Sequence, residues 1–311
     1  MNRILVTGGA GFVGSRVVRQ LLEQGRGVAL LLRETSDTRR LGALVGRCTV
    51  IRGNLGQVAS LREPLARFAP EAVLHLAWEG VKGADRNSPV QMGNVSSSID
   101  LYRLTEAIDC KHFVGLGSQA EYGLLSGRID ERAPTRPTTA YGAAKLATGL
   151  VLERTAAAAG RPFAWLRLFS SYGPGDDPQW LIPYMIKTLL ARQRPSLTRA
   201  EQVWDYLHVD DVASGVIAAL DVGARGIFNL GSGQARPLRD IMVLLRDTID
   251  PSLPLGFGEI AYRPDQVMHL ESDITALSTA AGWRPRVPLE EGLRATVDWH
   301  RGTVRDPENA S

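Results

Sequence analysis

Through the first half of the chain, short aliphatic runs alternate with longer segments whose apolar residues recur every three or four positions. The runs Arg3–Thr7, Val28–Leu32, Thr49–Arg52, Ala72–Leu76, His112–Leu116 and Phe163–Leu168 predict strands. They are apolar along their length, with no regular polar alternation. Between them, Val13–Gln24, Ser60–Phe68, Val90–Ile108 and Ala140–Ala159 carry helical spacing. Apolar strands separated by helices predict a parallel sheet covered on both faces. This is the α/β Rossmann class, a doubly wound sheet whose ligands sit at the carboxyl ends of the strands.

After Leu168 the pattern loosens. Ser170–Pro178 is rich in turn residues, and Trp180–Leu190 is helical in spacing. Ala191–Val203 is basic and irregular. Val209–Leu220 and Leu238–Thr248 predict helices around the short run Gly226–Leu230, with further helices near Ile274–Ala281 and Leu289–Trp299. Pro251–Pro264 predicts a loop. No second regular sheet is expected here. The division that follows is a Rossmann domain over 1–170 plus about 209–250 and a smaller C-terminal substrate-binding lobe over 171–208 and 251–303. A polar, frayed tail over 304–311 completes it.

Composition narrows the class. With 311 residues and 44% hydrophobic residues the chain can bury a sizeable core. No apolar run approaches the ~20 residues that span a bilayer, and the N-terminus lacks a secretory pattern, so a cytoplasmic location without membrane contact is expected. A net charge of +3 with scattered basic residues argues against nucleic acid as a partner. Cys48 and Cys110 have no metal or redox spacing and read as free thiols, the histidines are not paired, and no metal site is expected.

The candidate chemistry begins at Thr7-Gly8-Gly9-Ala10-Gly11-Phe12-Val13-Gly14, between the first strand and the first helix. Gly8, Gly11 and Gly14 suit a tight turn, close approach of a pyrophosphate and close helix–sheet packing. The backbone at Phe12 and Val13 opens the helix toward the phosphates. Where an acid would bind the ribose hydroxyls after the second strand, the chain has Leu32 and then Arg33. A guanidinium there pairs with a 2′-phosphate, which favours NADP (NADPH) over NAD. Arg39 or Arg40 could add a contact, and Glu34 reads as solvated. Asn54 and Leu55 are placed to cover the adenine, and Leu76 and Ala77 to lie along the pyrophosphate and nicotinamide ribose. His75 reads as a core residue.

Tyr141 and Lys145 stand four residues apart on one face of a predicted helix. The nearby ammonium favours phenolate, so Tyr141 becomes a usable acid/base and Lys145 its activator. Ser118, just past the fifth strand, reaches the same crevice and can hydrogen-bond the reacting oxygen. Glu121 and Tyr122 are expected to line the substrate pocket. Asp210 and Asp211 read as first-turn helix residues.

Taken in order, TGGAGFVG, HLAW, the serine after strand five, YGAAK, RLFSSYGPG and DYLHVDDVA resemble the extended short-chain dehydrogenase/reductase family. The likeness is to its branch of NDP-sugar epimerases, dehydratases and reductases, and it runs over nearly the whole chain. It implies Ser118, Tyr141 and Lys145 as a catalytic triad, with Lys145 also holding the nicotinamide ribose. A lobe for a nucleotide-activated sugar and a homodimer through the helices near Val90–Ile108 and Ala140–Ala159 are implied too. Three departures matter. Gln119 and Ala120 replace the Asp-Glu pair of the 4,6-dehydratases, so water elimination is not expected. Ser170 replaces the family's asparagine and Trp204 its arginine, both where the sugar nucleotide is gripped. Arg263 matches the arginine that contacts the diphosphate, and Trp78, Tyr172 and Trp180 complete the expected sugar surroundings. The expected activity is NADPH-dependent reduction of the C4 ketone of an NDP-4-keto-6-deoxyhexose, dTDP-linked in the leading case, in deoxysugar biosynthesis. An NDP-sugar 4-epimerase with retained NAD is the alternative.

Overall fold

A computed structural model describes residues 1–305. In chain order the elements begin with β1 Arg3–Thr7, α1 Phe12–Glu23, β2 Gly27–Leu32, β3 Thr49–Arg52, α2 Arg62–Phe68, β4 Ala72–His75, α3 Val90–Ala107, β5 His112–Ser118, β6 Gly127–Ile129, α4 Ala140–Ala158, β7 Phe163–Leu168 and β8 Ser170–Tyr172. There follow α5 Leu181–Leu190, β9 Ser196–Leu197, β10 Val203–His208, α6 Val209–Asp221, β11 Gly226–Leu230, β12 Ala235–Pro237, α7 Leu238–Ile249, β13 Gly256–Phe257, β14 His269–Ser272, α8 Thr275–Ala281 and α9 Leu289–Arg305. The tail expected over 304–311 lies outside the described residues except for the end of α9.

Seven parallel strands form the main sheet in the order β11-β7-β5-β4-β1-β2-β3. The order reverses at β1, which pairs with β2 on one side and β4 on the other. That reversal opens a crevice above the carboxyl ends of β1 and β4, the place where doubly wound sheets hold ligands. Both faces are covered, as the apolar strands require. One core joins α1 and α6 to the sheet through Val17, Leu21, Val212 and Val216. The other packs the opposite face through Leu65, Leu101, Tyr102, Leu152 and Trp165.

The C-terminal lobe differs from expectation in two respects. A small mixed sheet, β12-β10-β14-β6 with β8 also paired to β10, joins it to β6 and β12 from the Rossmann ranges. Strands of three to six residues hold too few positions for a period-2 signal. The segment near 238–250, read with the Rossmann domain, packs in the lobe instead. Ile241, Met242 and Leu245 of α7 share a core with Ile186 of α5 and Leu293 and Val297 of α9.

Among the described residues no helix is long and apolar enough to cross a membrane, and no group of three or more His, Cys, Asp or Glu side chains is arranged to hold a metal ion. Cys48 and Cys110 are free thiols; burial pushes the Cys110 pKa up to about 11.

Candidate active site

The glycine turn has a separate reason for each glycine. Gly8 lies at φ +71°, and a Cβ there would sit 2.6 Å from the Ala77 nitrogen. At Gly14 a Cβ would lie 2.0 Å from the Gly8 carbonyl oxygen, so α1 can approach the turn only without a side chain. Gly11 is different, because its Cβ would meet only the Gly8 oxygen, at 3.2 Å. Its open side faces the helix start, where no side chain caps the free N–H groups and no acid occupies the first turn. This cradle fits a dinucleotide pyrophosphate. Gly14→Ala should therefore lower folding stability by about 1–3 kcal/mol. Gly11→Ala should lower the melting temperature much less than Gly14→Ala while weakening dinucleotide binding in a fluorescence titration.

At the ribose end, Arg33, Arg52 and Asn54 line a cavity of about 380 Å³. Strand register brings the arginines together, since Leu32 of β2 pairs with Arg52 of β3, and an Arg52 guanidinium nitrogen donates to the Arg33 carbonyl at 3.0 Å. Sequence reasoning missed Arg52 and looked to Arg39 and Arg40. Arg39 is tied to Asp37 at 2.7 Å, and Arg40 donates to the Gly175 carbonyl at 2.9 Å. Arg33 itself is ion-paired with Glu79 across the crevice. Glu34 lines the same cavity and is exposed. The Asn54 side-chain oxygen accepts from Gly56 N–H at 2.9 Å, which fixes the amide while its NH₂ group stays free to donate to a base. Leu55 is half-buried beside it.

Leu76 and Ala77 run past the glycine turn, where Leu76 N–H donates to the Thr7 carbonyl and Ala77 N–H to the Thr7 hydroxyl. His75 is a core residue, bonded to Thr7 at 2.8 Å and to Ser98 at 2.9 Å. Burial, reinforced by the Lys145 charge, lowers its pKa to about 3 and keeps the ring neutral.

Ser118, Tyr141 and Lys145 converge where β5 ends against the start of α4, and all three are buried. Thr139 caps α4 by accepting from Gly142 N–H at 3.1 Å, which fixes the turn that carries Tyr141. The Lys145 ammonium donates to the Leu116 carbonyl at 2.5 Å and lies 3.8 Å from the Trp78 ring centroid. Burial pulls its pKa down to about 7 against the opposing pull of Glu121. Burial raises the Tyr141 phenol above its usual range, while hydrogen bonding with Ser118 and the charge of Arg86 lower it and Glu121 raises it. The cation that lowers the Tyr141 pKa is Arg86, not Lys145 as its spacing led one to expect. The Arg86 guanidinium carbon sits 4.4 Å from the Tyr141 ring centroid, and the Lys145 ammonium 6.0 Å.

Glu121 and Tyr122, expected to line the substrate pocket, point away from it. A single 3₁₀ turn over Gln119–Glu121 turns Glu121 back against β5 and β7. There its carboxylate accepts from Ser118 N–H at 2.9 Å, Trp165 Nε1 at 2.9 Å and Arg167 Nε at 2.7 Å. The Tyr122 hydroxyl donates to Asn229 at 2.6 Å and accepts from Arg167 at 3.0 Å. Both side chains are fully enclosed. They support the site from behind.

The two departures from the family pattern, Ser170 and Trp204, are in contact. Trp204 Nε1 donates to the Ser170 hydroxyl at 2.7 Å, across paired β8 and β10. Asp210 and Asp211 do occupy the first turn of α6, where Asp211 also accepts from the Arg286 and Val287 N–H groups. Arg263 and Trp180 are exposed, and Tyr172 is buried against His208.

Residues 4–231 match the NAD dependent epimerase/dehydratase family. The chain belongs to that family. Its similarity to a dTDP-glucose 4,6-dehydratase of Xanthomonas campestris is 27% identity over 95% of this chain and 92% of the relative. With a UDP-glucose 4-epimerase of Halalkalibacterium halodurans it shares 29% identity over 96% of this chain and 95% of that one. Among solved structures, the UDP-glucose 4-epimerase of Thermus thermophilus in complex with NAD superposes with a TM-score of 0.84 at 28% identity, covering 96% of this chain and 99% of the other. This places the family member in the nucleotide-sugar branch of the extended short-chain dehydrogenases/reductases, as its motifs imply.

Proposed function

We propose that this family member is an NADPH-dependent reductase of the C4 ketone of a dTDP-linked or similarly nucleotide-activated 4-keto-6-deoxyhexose. The observation that carries the reading is the pairing of an intact Ser118–Tyr141–Lys145 group with Gln119 and Ala120. An alcohol/ketone acid is present, and the acids that would eliminate water are not. NADPH, when bound in the glycine-turn cradle, would supply the hydride for the sugar C4 carbon. Tyr141 gives its phenolic proton to the ketone oxygen, which stays on C4 as the new hydroxyl, and Ser118 hydrogen-bonds that oxygen as charge develops on it. Lys145 is assigned to the nicotinamide ribose.

The sugar nucleotide is assigned to the lobe. A cavity of about 250 Å³ lined by Leu181, Tyr184, Leu197, Met242 and Ile260 suits a planar base. Gln202 also lines it, and its buried side-chain oxygen has no hydrogen-bond partner among the described residues. Arg263 is assigned the diphosphate. The Trp204–Ser170 pair puts an aromatic wall where a second cation would otherwise grip the ligand. A homodimer is assigned to the outer faces of α3 and α4, which leave Met92, Leu150 and Val151 exposed.

NADPH is preferred over NADH in this proposal because two guanidinium groups meet at the ribose end. Arg33→Ser should raise KM for NADPH about ten- to a hundredfold and leave NADH unaffected, as loss of a charge-assisted phosphate contact requires. Glu79→Gln, which frees Arg33 from its partner, should lower KM for NADPH. Wild-type and variant rates with both cofactors, against a panel of NDP-4-keto-6-deoxy sugars, test the cofactor and the reaction together. The second reading is a 4-epimerase, favoured by the 4-epimerases among the similar proteins. Purified protein carrying tightly held NAD, with no net NADPH consumption, would establish it and sink the reductase.

A further inference from the structure

We propose that Arg86 is a positioning residue that tunes the acidity of Tyr141, an inference that rests on the reading of Tyr141 as the acid/base. Arg86 sits in the short turn Gly83–Asn87 that follows β4. Its guanidinium covers one face of the Tyr141 ring, 4.4 Å from the centroid. Trp78 meets the same ring edge-on, with centroids 6.4 Å apart. The phenol is thereby held between a cation and an indole, and its hydroxyl is aimed by two contacts that do not involve Ser118.

The turn is fixed to the catalytic helix by an independent contact. Asn87, the next residue, accepts from the Ala140 N–H at 2.9 Å through its side-chain oxygen, one residue before Tyr141. Arg86 also reaches back to the Val81 carbonyl at 3.4 Å, and Lys82 is ion-paired with Asp177 of the lobe. Turn, helix and lobe are clasped together, and the cation is held over the ring. It does not sweep through solvent.

A fixed cation over a phenol face attracts the ring quadrupole, and it attracts the phenolate more strongly than the neutral phenol. The charged groups facing Tyr141 are Arg86 from this turn, Lys145 from its own helix and Glu121 from the turn after β5. Lys145 lies farther from the ring than Arg86 and is engaged with Leu116 and Trp78. Glu121 acts in the opposite sense. Arg86 is therefore the cation best placed to make the buried phenol a better acid.

The sign of the effect follows. Without Arg86 the phenol ionises at higher pH. In the reduction direction Tyr141 must be protonated, so the alkaline fall of kcat/KM moves to higher pH while the plateau drops, because a weaker acid gives its proton less readily. In the oxidation direction the rising limb moves up as well.

Arg86→Gln and Arg86→Lys test this. Tyrosinate absorbance is titrated in wild type, Arg86→Gln, Arg86→Lys and Tyr141→Phe, the last identifying which step belongs to Tyr141. The expected result is a Tyr141 step at higher pH in Arg86→Gln, largely restored in Arg86→Lys, with about a tenfold loss of kcat/KM in the glutamine variant. If the Tyr141 step stays in place in Arg86→Gln, or moves equally in both variants, the proposal is overturned. The titration requires no substrate. Failure of the acid/base reading is seen separately, as unchanged turnover in Tyr141→Phe.

Discussion

Replacing Tyr141 with phenylalanine should lower kcat by about 10²–10⁴ while leaving the fold and cofactor affinity unchanged. The ring contacts survive the substitution, because Arg86 lies over the ring face and Trp78 against its edge. Only the hydroxyl is lost, and with it the group that exchanges a proton with the sugar oxygen. Ser118 cannot take over, since its ordinary pKa lies far above the working range and its side-chain oxygen already accepts from Ala120 N–H at 3.2 Å. Lys145 is drawn toward Leu116 and Trp78, beneath the ring. Stopped-flow or steady-state rates with the active keto-sugar measure the loss, and near-ultraviolet circular dichroism verifies the unchanged fold. Turnover within twofold of wild type would place the proton donor elsewhere and remove Tyr141 from the mechanism.

The main sheet was legible because a strand buried on both faces is apolar throughout, and six such runs separated by helical spacing admit few arrangements. The glycine turn and the Tyr141–Lys145 pair were legible because each needs only local geometry, a helix start or one helical turn. What escaped depends on partners distant in sequence. Glu121 was placed by its strand end, but its carboxylate finds Trp165 and Arg167 on the neighbouring β7. Arg52 enters the ribose end only through the register of β2 with β3. Arg86 lies in a turn of ordinary composition, and nothing in its neighbours hints that it reaches α4. In the lobe, strands such as β9 and β13 are two residues long, too short to carry any period. The Ser170–Trp204 contact joins two positions 34 residues apart, which no local pattern could pair.

Removing the Glu121 carboxylate should be the most destabilising single change near the site, at about 3–5 kcal/mol. Glu121 is fully buried and forms an ion pair with Arg167 at 2.7 Å, and the Arg167 side chain is itself almost entirely enclosed. Glu121→Ala would leave that guanidinium in the interior with only the Tyr122 hydroxyl as a partner, and would strip the acceptor from Trp165 Nε1 and from Ser118 N–H. No small rearrangement can replace it. Gly117 and Gly115 are pressed against Trp165, where a Cβ would lie 2.4 Å from the indole at either position, so this layer has no slack. The single variant Arg167→Ala should cost a similar amount, by leaving the carboxylate unpaired. The double variant Glu121→Leu with Arg167→Met should cost far less than the two single losses combined, since a buried pair exchanged for apolar side chains of similar volume is often close to neutral. Urea unfolding of wild type, Glu121→Leu, Arg167→Met and the double variant closes the cycle and gives the coupling. The double variant separates stability from catalysis: its fold should recover, but Ser118 would still lack the carboxylate that holds its backbone N–H, and Lys145 would lack its buried counter-charge. A double variant that regained both stability and full turnover would show that the pair only fills space. One that regained stability while turning over slowly would show that the carboxylate beneath the sheet sets the position of the groups above it.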